Sequence, residues 1–212
     1  MSDRSFLPRL VSSALLICLL WATVYWSRTH WFACLLVCEA IVLLGLKELL
    51  ALLRAKKVQV FELYTLAGGA AVTAAIFFSS FPENLPGDMV FSVLFVWCLG
   101  LFFLQAAQPS VDGATQTLFS SIASLLYVPF LFGFLIKINY MAGVDGRIWV
   151  FYTFAAVYAA DMSAYLVGSL AGKRPLAPTI SPHKTAEGAV GALLGACAAS
   201  LILQRLLLPE FP

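Results

Sequence analysis

The chain has 212 residues, of which 61% are hydrophobic and only 11% are charged, and its formal net charge at pH 7 is +2. Soluble domains carry about a quarter charged residues, so this composition excludes an ordinary soluble globular protein. We therefore expect a polytopic integral membrane protein of the all-α class, formed as one transmembrane domain over residues 1–212.

Seven segments are apolar enough, and at about 20 residues long enough, to be membrane-spanning helices. The first is too long for the apolar core of a signal peptide and lacks a small-residue cleavage site, so we expect it to be retained. The links between the segments are short and rich in turn-forming residues. In chain order the predicted spans are Phe6–Trp26, Trp31–Leu53, Val60–Phe81, Met89–Ala107, Thr115–Ile138, Arg147–Leu170 and Ala186–Leu208.

Positive charges are distributed unevenly between the two sets of loops. Cytoplasmic loops of membrane proteins are enriched in Lys and Arg, and this bias predicts a cytoplasmic N-terminus. The loop after the sixth span then faces the cytoplasm, where nucleotides are found. The residues on the N-terminal side are Arg4, Arg9, Lys47, Arg54, Lys56, Lys57, Lys173, Arg174 and Lys184, against Arg28, Lys137, Arg147 and Arg205 on the other.

Glu39 lies in the middle of the second span, where a carboxyl group is costly and is a candidate for function. Two interpretations stay open: Glu39 contributes to a polar cavity, or it forms a hydrogen bond with a neighbouring helix. Lys47 and Glu48, near the end of the same span, are explained by long side chains that reach the interface. The five cysteines lie in apolar runs without paired or zinc-like spacing, which predicts free thiols.

Carboxylates, cations, hydroxyl groups and an imidazole occur together between Tyr158 and Gly195. Asp161 lies roughly 13 Å from the cytoplasmic end of the sixth span, at 1.5 Å per residue. An unpaired carboxylate at this depth requires a proton, a partner or a cation. We interpret Asp161 as a cation ligand, with an interhelical hydrogen bond as the alternative, and Tyr165 lies one turn further on the same face.

The basic segment that follows predicts a phosphate site at the start of the last helix. Ser181 and Pro182 are typical of an N-cap and a first helical position. A helix N-terminus offers free N–H groups to a phosphate, and Lys173, Arg174 and Lys184 would add positive charge. The positive-inside rule alone would also place cations here. The residues expected in or just beyond the first turn are His183, Lys184, Thr185, Glu187 and Gly188.

Small residues recur on one face of each of the last two predicted helices. This spacing predicts close contact between helices, or access for a lipid headgroup, and it is compatible with a homodimer. The residues are Ala160, Ala164, Gly168 and Gly172 in the sixth span, and Gly188, Gly191 and Gly195 in the seventh.

Two motifs in this region resemble the phosphatidate cytidylyltransferase (CDP-diacylglycerol synthase) family. Asp161–Gly168 (DMSAYLVG) is similar to the family's Asp-x-x-Ala-Tyr-x-x-Gly helix, and Ser181–Gly188 (SPHKTAEG) is similar to its Ser-Pro-x-Lys-Thr-x-Glu-Gly segment. Ala186 stands where the family usually has Trp. The chain would then correspond to the N-terminal and central part of the family's transmembrane domain.

The resemblance implies transfer of a cytidylyl group from CTP to phosphatidate, with Mg²⁺ as cofactor, in a cell inner membrane or plasma membrane. CTP, phosphatidate and membrane lipid are the expected partners, and no nucleic acid is expected. Asp161 is implied as metal ligand and catalytic residue, with Lys173 and Lys184 as further catalytic residues. The implied substrate-binding residues are Tyr165, Arg174, Ser181, His183, Thr185, Glu187 and Gly188.

The family's second signature, a Lys-Arg and Lys-Asp segment followed by a Gly-His-Gly-Gly and Asp-Arg run, does not precede the last residue, Pro212. Family members bind magnesium largely through acidic residues of that segment. The sequence is therefore incomplete, or a truncated chain that needs a partner, or inactive. A CTP-dependent lipid-alcohol kinase of the dolichol or phytol type, and a non-catalytic transporter or truncated membrane subunit, stay open as alternatives.

Overall fold

A computed structural model of the chain describes residues 18, 21–27, 29–80, 89–141, 143–178 and 181–207. They form two compact units, with the boundary between Val144 and Asp145. The expectation of one domain over residues 1–212 stays a prediction.

The first unit is a bundle of helices. Its core is an apolar cluster contributed by several of them, with Leu35, Val72, Ile76, Phe77 and Leu94 among its members. All five cysteines are free thiols, as predicted. The helices are α1 (Trp31–Ala55), α2 (Glu62–Ser79), α3 (Met89–Ala106), α4 (Ala114–Leu125), a π-helical turn (Leu126–Phe130) and α5 (Leu131–Asn139), and residues 21–25 are helical as well.

The π-helical turn contains Pro129, which is fully buried. Proline has no N–H group and clashes with the carbonyl four residues earlier, so a regular α-helix is interrupted there. The helical chain nevertheless runs on from Ala114 to Asn139 as one stretch of 26 residues. At Pro129 the helix type thus changes locally within a continuous helical stretch.

The second unit is an antiparallel pair of helices joined by a β-hairpin. The helices are α6 (Gly146–Ala171) and α7 (Ala186–Leu207), and the strands are β1 (Pro175–Ala177) and β2 (Ser181–Thr185). Asp145 begins α6 by accepting a hydrogen bond from the backbone N–H of Arg147 at 3.2 Å, which is the usual N-cap arrangement. The guanidinium of Arg147 also pairs with this carboxylate, at 2.7 Å.

Five described stretches are long and apolar enough to cross a membrane: Glu62–Ser79, Met89–Ala106, Ala114–Asn139, Gly146–Ala171 and Ala186–Leu206. The all-α, multi-pass membrane fold is thus confirmed, with the short hairpin as an addition.

The predicted number of spans, seven, stays a prediction. Helix α1 is 25 residues long but carries Glu39, Lys47, Glu48 and Arg54, and it is not among the five apolar stretches. The predicted span Phe6–Trp26 lies mostly outside the described residues. The cytoplasmic N-terminus likewise stays a prediction.

Glu39 lies on the buried stripe of α1, between Leu35 and Val42. Its Oε2 atom is buried and has no hydrogen-bond partner among the described residues. The alternative of a hydrogen bond to a neighbouring helix therefore finds no support in the described part of the chain. A buried polar atom without a partner reduces stability, since it loses its hydration without compensation.

We expect Glu39→Leu to stabilise the protein, because it replaces an unsatisfied carboxyl with an apolar side chain of similar size. The expected gain in the free energy of unfolding is about 1–3 kcal/mol, measured as a higher midpoint of thermal unfolding in detergent. Glu39→Gln keeps a polar end and should not show this gain. A lower midpoint for Glu39→Leu would mean that the carboxyl group has a stabilising partner.

Candidate active site

The α6–α7 pair is close-packed because glycines of α7 lie against α6. A Cβ atom at Gly191 would lie 2.6 Å from Val167 Cβ and 3.0 Å from Ser163 O. A Cβ atom at Gly188 would lie 3.0 Å from Ala164 O. The predicted close contact between small-residue faces is confirmed, and the glycine face of α7 is covered by α6 rather than open to a lipid headgroup.

The last helix begins at Ala186, so the prediction of a helix start at Ser181 and Pro182 was wrong. Residues Ser181–Thr185 form β2, and Ala177 pairs with Ser181 across the hairpin. A residue that precedes proline favours extended backbone, so Ser181 before Pro182 suits a strand as well as an N-cap. His183, Lys184 and Thr185 therefore precede the helix instead of occupying its first turn.

Thr185 is the residue that caps α7. Its Oγ1 accepts a hydrogen bond from the N–H of Gly188 at 3.2 Å, the N-cap to N3 arrangement. The N–H of Ala186 donates to Arg174 O at 2.9 Å. Two N–H groups at the start of α7, those of Ala186 and Gly188, are therefore occupied within the protein and are not free to bind phosphate. A phosphate at this end would be bound by side chains of the hairpin.

Glu187 connects the start of α7 to the segment that follows α6. Its Oε2 accepts hydrogen bonds from the backbone N–H groups of Lys173, at 3.1 Å, and Arg174, at 3.2 Å. A carboxylate with two backbone donors is a charge-assisted, directional contact. Glu187 thereby fixes the backbone from which the two cationic side chains extend.

Gly172, which was not predicted as a site residue, completes this junction. It is the C-cap of α6, with φ −65° and ψ 122°. A Cβ atom there would lie 2.7 Å from Thr185 Cγ2 and 2.8 Å from Thr185 Oγ1. The signal in the sequence is a glycine just after a predicted helix. Glycine is common at this position because it helps to end helices, so the sequence alone does not indicate the contact with Thr185.

Four cationic or titratable side chains of the hairpin region are exposed: Lys173, Arg174, His183 and Lys184. None of them makes an ion pair with any other described residue. Since Pro175 lies opposite Thr185 in the hairpin, Arg174 and Lys184 flank the same residue pair. Three cations, with His183 beside them, thus lie around a single carboxylate, that of Glu187, at one end of the α6–α7 pair, and this excess of positive charge suits an anionic ligand.

Asp161 and Tyr165 lie on α6, away from the hairpin. Both are exposed, Tyr165 to 73%, and Asp161 makes no hydrogen bond or ion pair with the residues described. Asp161 precedes the last residue of α6, Ala171, by ten positions, which is about 15 Å along the helix axis. The structure thus brings Lys173, Arg174, Thr185, Glu187 and Gly188 together, but not Asp161 and Tyr165 with them.

Ser181 is half-buried at the far end of β2, and residues 179 and 180 lie outside the described part of the chain. Among the described residues, no group of three or more His, Cys, Asp or Glu side chains could hold a metal ion. Asp161, the one metal ligand that the sequence predicts, therefore belongs to no such group among the described residues.

Comparison with known proteins identifies the chain's relatives. Residues 7–212 match the model of the cytidylyltransferase family. A phosphatidate cytidylyltransferase of Mycobacterium bovis is 34% identical over 104 residues, covering 49% of this chain and 33% of the relative. One of Staphylococcus haemolyticus is 27% identical over 154 residues, covering 73% and 56%. One of Bacillus subtilis is 35% identical over 79 residues, covering 37% and 29%.

The chain thus spans from about a third to a little over half of the length of these curated relatives. No solved structure matches it. Because the family match extends over nearly the whole sequence, the chain belongs to the cytidylyltransferase family.

Proposed function

We propose that the chain transfers a cytidylyl group from CTP to phosphatidate, forming CDP-diacylglycerol and pyrophosphate in phospholipid biosynthesis. The observation that carries this proposal is the hairpin with its unpaired cations, Lys173, Arg174 and Lys184, at the end of an apolar helix pair. Family membership and the phosphatidate cytidylyltransferase relatives support the nucleotide and the lipid.

The proposed reaction brings two anions together. An oxygen of the phosphatidate phosphate forms a bond to the α-phosphorus of CTP, and the bond from that phosphorus to the bridging oxygen breaks, releasing pyrophosphate. Most of the catalytic effect in such a transfer comes from positioning and from neutralising charge. Cations at the membrane end of a helix pair are suited to both tasks, because the lipid phosphate lies at the same level.

Each residue of the site has a proposed role. Lys184 and Lys173 stabilise charge that develops on the departing pyrophosphate, and Arg174 binds phosphate oxygens through its planar fork of donors. Glu187 holds the backbone of Lys173 and Arg174 in place. The remaining members of the predicted site contact the substrates or shape the hairpin: Tyr165, Ser181, His183, Thr185 and Gly188.

Asp161 is the proposed ligand for Mg²⁺. Magnesium is often bound by one or two carboxylates together with substrate phosphate oxygens, and Asp161 is exposed and makes no contact with another polar group among the described residues. This donor fits such a site in the presence of CTP. When bound, the ion neutralises phosphate charge.

We also propose an orientation, a location and an oligomeric state for the protein. The hairpin faces the cytoplasm, the protein resides in a cell inner membrane or plasma membrane, and two copies associate as a homodimer. The loop-charge bias supports the cytoplasmic side of the hairpin, whereas the glycine face of α7 packs on α6 within the chain, so the homodimer stays a proposal from the sequence.

The substrate requirements test the proposed function. The full chain is reconstituted in phosphatidylcholine nanodiscs with phosphatidate or with diacylglycerol, and pyrophosphate release is measured with CTP or with ATP. Release is expected only with CTP and phosphatidate together in the presence of Mg²⁺. Absence of release under these conditions, or equal release with diacylglycerol, would contradict the proposal.

Glu187 provides a matched pair of variants. We expect Glu187→Ala to raise the KM for CTP by roughly tenfold, because two charge-assisted hydrogen bonds that fix the Lys173–Arg174 backbone are lost. Glu187→Gln retains an acceptor oxygen and should recover most of the loss. Steady-state kinetics at saturating phosphatidate measure both. Equal KM values for Glu187→Ala and the parent chain would show that these hydrogen bonds do not position the site.

A further inference from the structure

The turn between α1 and α2 is held by backbone hydrogen bonds and contains a lysine whose backbone conformation is energetically unfavourable. Lys57 adopts φ 62° and is the single residue other than glycine with a positive φ in the described part of the chain. Its N–H donates to Arg54 O at 2.8 Å, and the N–H of Val58 donates to Leu53 O at 3.0 Å. Val58 is buried, which anchors the turn to the bundle.

Turn geometry does not explain why this residue is a lysine. The left-handed conformation after a helix is usually occupied by glycine, because a Cβ atom makes it less favourable. The hydrogen bonds of the turn use backbone atoms alone, so glycine would form them equally well. The backbone of the turn therefore does not require a lysine at position 57, and the side chain is free to contact a ligand outside the chain.

The charges in the turn are only partly neutralised. Arg54 forms an ion pair with Glu62, whereas Lys56 and Lys57 are exposed and have no carboxylate partner among the described residues. The C-terminus of α1 attracts cations through its dipole, but Arg54 in the last turn already supplies one. Two adjacent ammonium groups stay available to an anion.

Exposed apolar side chains flank the two lysines. Leu52, in the last turn of α1, is 61% exposed, and Leu63, in the first turn of α2, is 82% exposed. Leu63 belongs to the apolar stretch Glu62–Ser79, which is long enough to cross a membrane. In a bilayer such leucines contact acyl chains, while neighbouring lysines reach the level of the lipid phosphates.

We propose that Lys56 and Lys57 bind the headgroup phosphate of an anionic phospholipid, whose acyl chains lie against Leu52 and Leu63. This site uses no residue of the hairpin, and it does not depend on the proposed cytidylyl transfer. The two ammonium groups would hold the phosphate, and the two leucines would contact the acyl chains of the same molecule. The ligand is therefore a lipid and not a free phosphate.

Phosphatidylglycerol is the appropriate probe, because it is anionic but is not the proposed substrate. The full chain is placed in phosphatidylcholine nanodiscs, or in nanodiscs that contain a minor fraction of phosphatidylglycerol, and lipid retention is measured by native mass spectrometry. The variants are Lys56→Gln and Lys57→Gly, with Lys47→Gln as the control for an exposed lysine elsewhere on α1. Loss of each turn lysine is expected to weaken phosphatidylglycerol binding by about fivefold, and both together by about 25-fold.

The Lys57→Gly variant distinguishes a role of Lys57 in lipid binding from a role in the stability of the turn. Glycine removes the unfavourable left-handed lysine, so this variant should unfold in phosphatidylcholine at the same temperature as the parent chain or at a higher one. It should nevertheless lose the additional thermal stabilisation that phosphatidylglycerol gives the parent. If Lys57→Gly and Lys56→Gln retain phosphatidylglycerol like the parent, or if Lys47→Gln loses it equally, the proposal is overturned. Equal stabilisation of the parent by inorganic phosphate would also overturn it.

Discussion

Asp161→Asn and Lys184→Ala are each expected to lower the rate of CDP-diacylglycerol formation by roughly 100- to 1,000-fold, the effect typical of losing one group that stabilises charge in a transition state. Both residues are exposed, and neither contributes a side-chain hydrogen bond to the described structure. Their loss should therefore leave the fold unchanged, with the same midpoint of thermal unfolding as in the parent chain.

The two variants should fail in different ways. Asp161→Asn removes a hard anionic ligand, so its residual activity should require a higher Mg²⁺ concentration. Lys184→Ala removes a cation whose proposed partner is phosphate, so its Mg²⁺ dependence should change less, and Lys184→Arg should recover part of the rate because the charge returns. Lys47→Gln, in α1, serves as the control for loss of a cation outside the site. Full activity in both Asp161→Asn and Lys184→Ala would remove the site hypothesis.

Gly191→Val is expected to separate α6 from α7. A Cβ atom at this position would meet Val167 Cβ at 2.6 Å and Ser163 O at 3.0 Å, and the second of these is backbone that cannot rotate away. Overpacking of this kind costs about 1–3 kcal/mol or more, and glycine at a helix crossing allows the backbones to approach. We expect a clear loss of thermal stability in detergent, together with loss of CTP-dependent activity, because the two helices hold both ends of the hairpin.

A second glycine provides the control. At Gly45, in α1, a Cβ atom would lie 3.6 Å from Val128 Cγ1, an ordinary contact distance. Gly45→Ala should therefore be neutral or slightly stabilising, since alanine is the better helix former. Combining Gly191→Ala with Val167→Gly, which removes the nearest obstructing atom, should restore part of the stability lost in Gly191→Ala alone. If Gly191→Val were as stable as the parent chain, the close packing of α6 on α7 would be contradicted.

The membrane-spanning helices were accessible to sequence reasoning because their signal is composition over a long window. The link around Gln108–Gly113 separates α3 from α4 as its turn residues indicate, and the link from Asn139 to Gly146 separates α5 from α6. The hairpin could not be predicted from composition in this way. Ser181–Pro182 satisfies the chemistry of a helix start and of a strand equally, and the choice depends on pairing with residues 175–177.

In the candidate site, too, the sequence indicated residue types but not the contacts between them. Motif spacing grouped Asp161 with the basic segment, whereas α6 places Asp161 ten residues before its last residue, Ala171. The contacts of Glu187 join residues 13 and 14 positions apart, beyond the reach of helical or strand periodicity. Sequence chemistry therefore selected the polar candidates for the site, whereas the contacts among them follow from tertiary packing.

The central claim is that this chain transfers the cytidylyl group of CTP to phosphatidate. It is tested most directly by following two radiolabels, one at the α-phosphorus of CTP and one at its γ-phosphorus, into lipid extracted from nanodiscs that hold the full chain and phosphatidate. We expect the α-label to enter the lipid and the γ-label to leave with pyrophosphate. A γ-label in the lipid would indicate a lipid kinase, and the absence of both labels from the lipid would contradict catalysis by this chain.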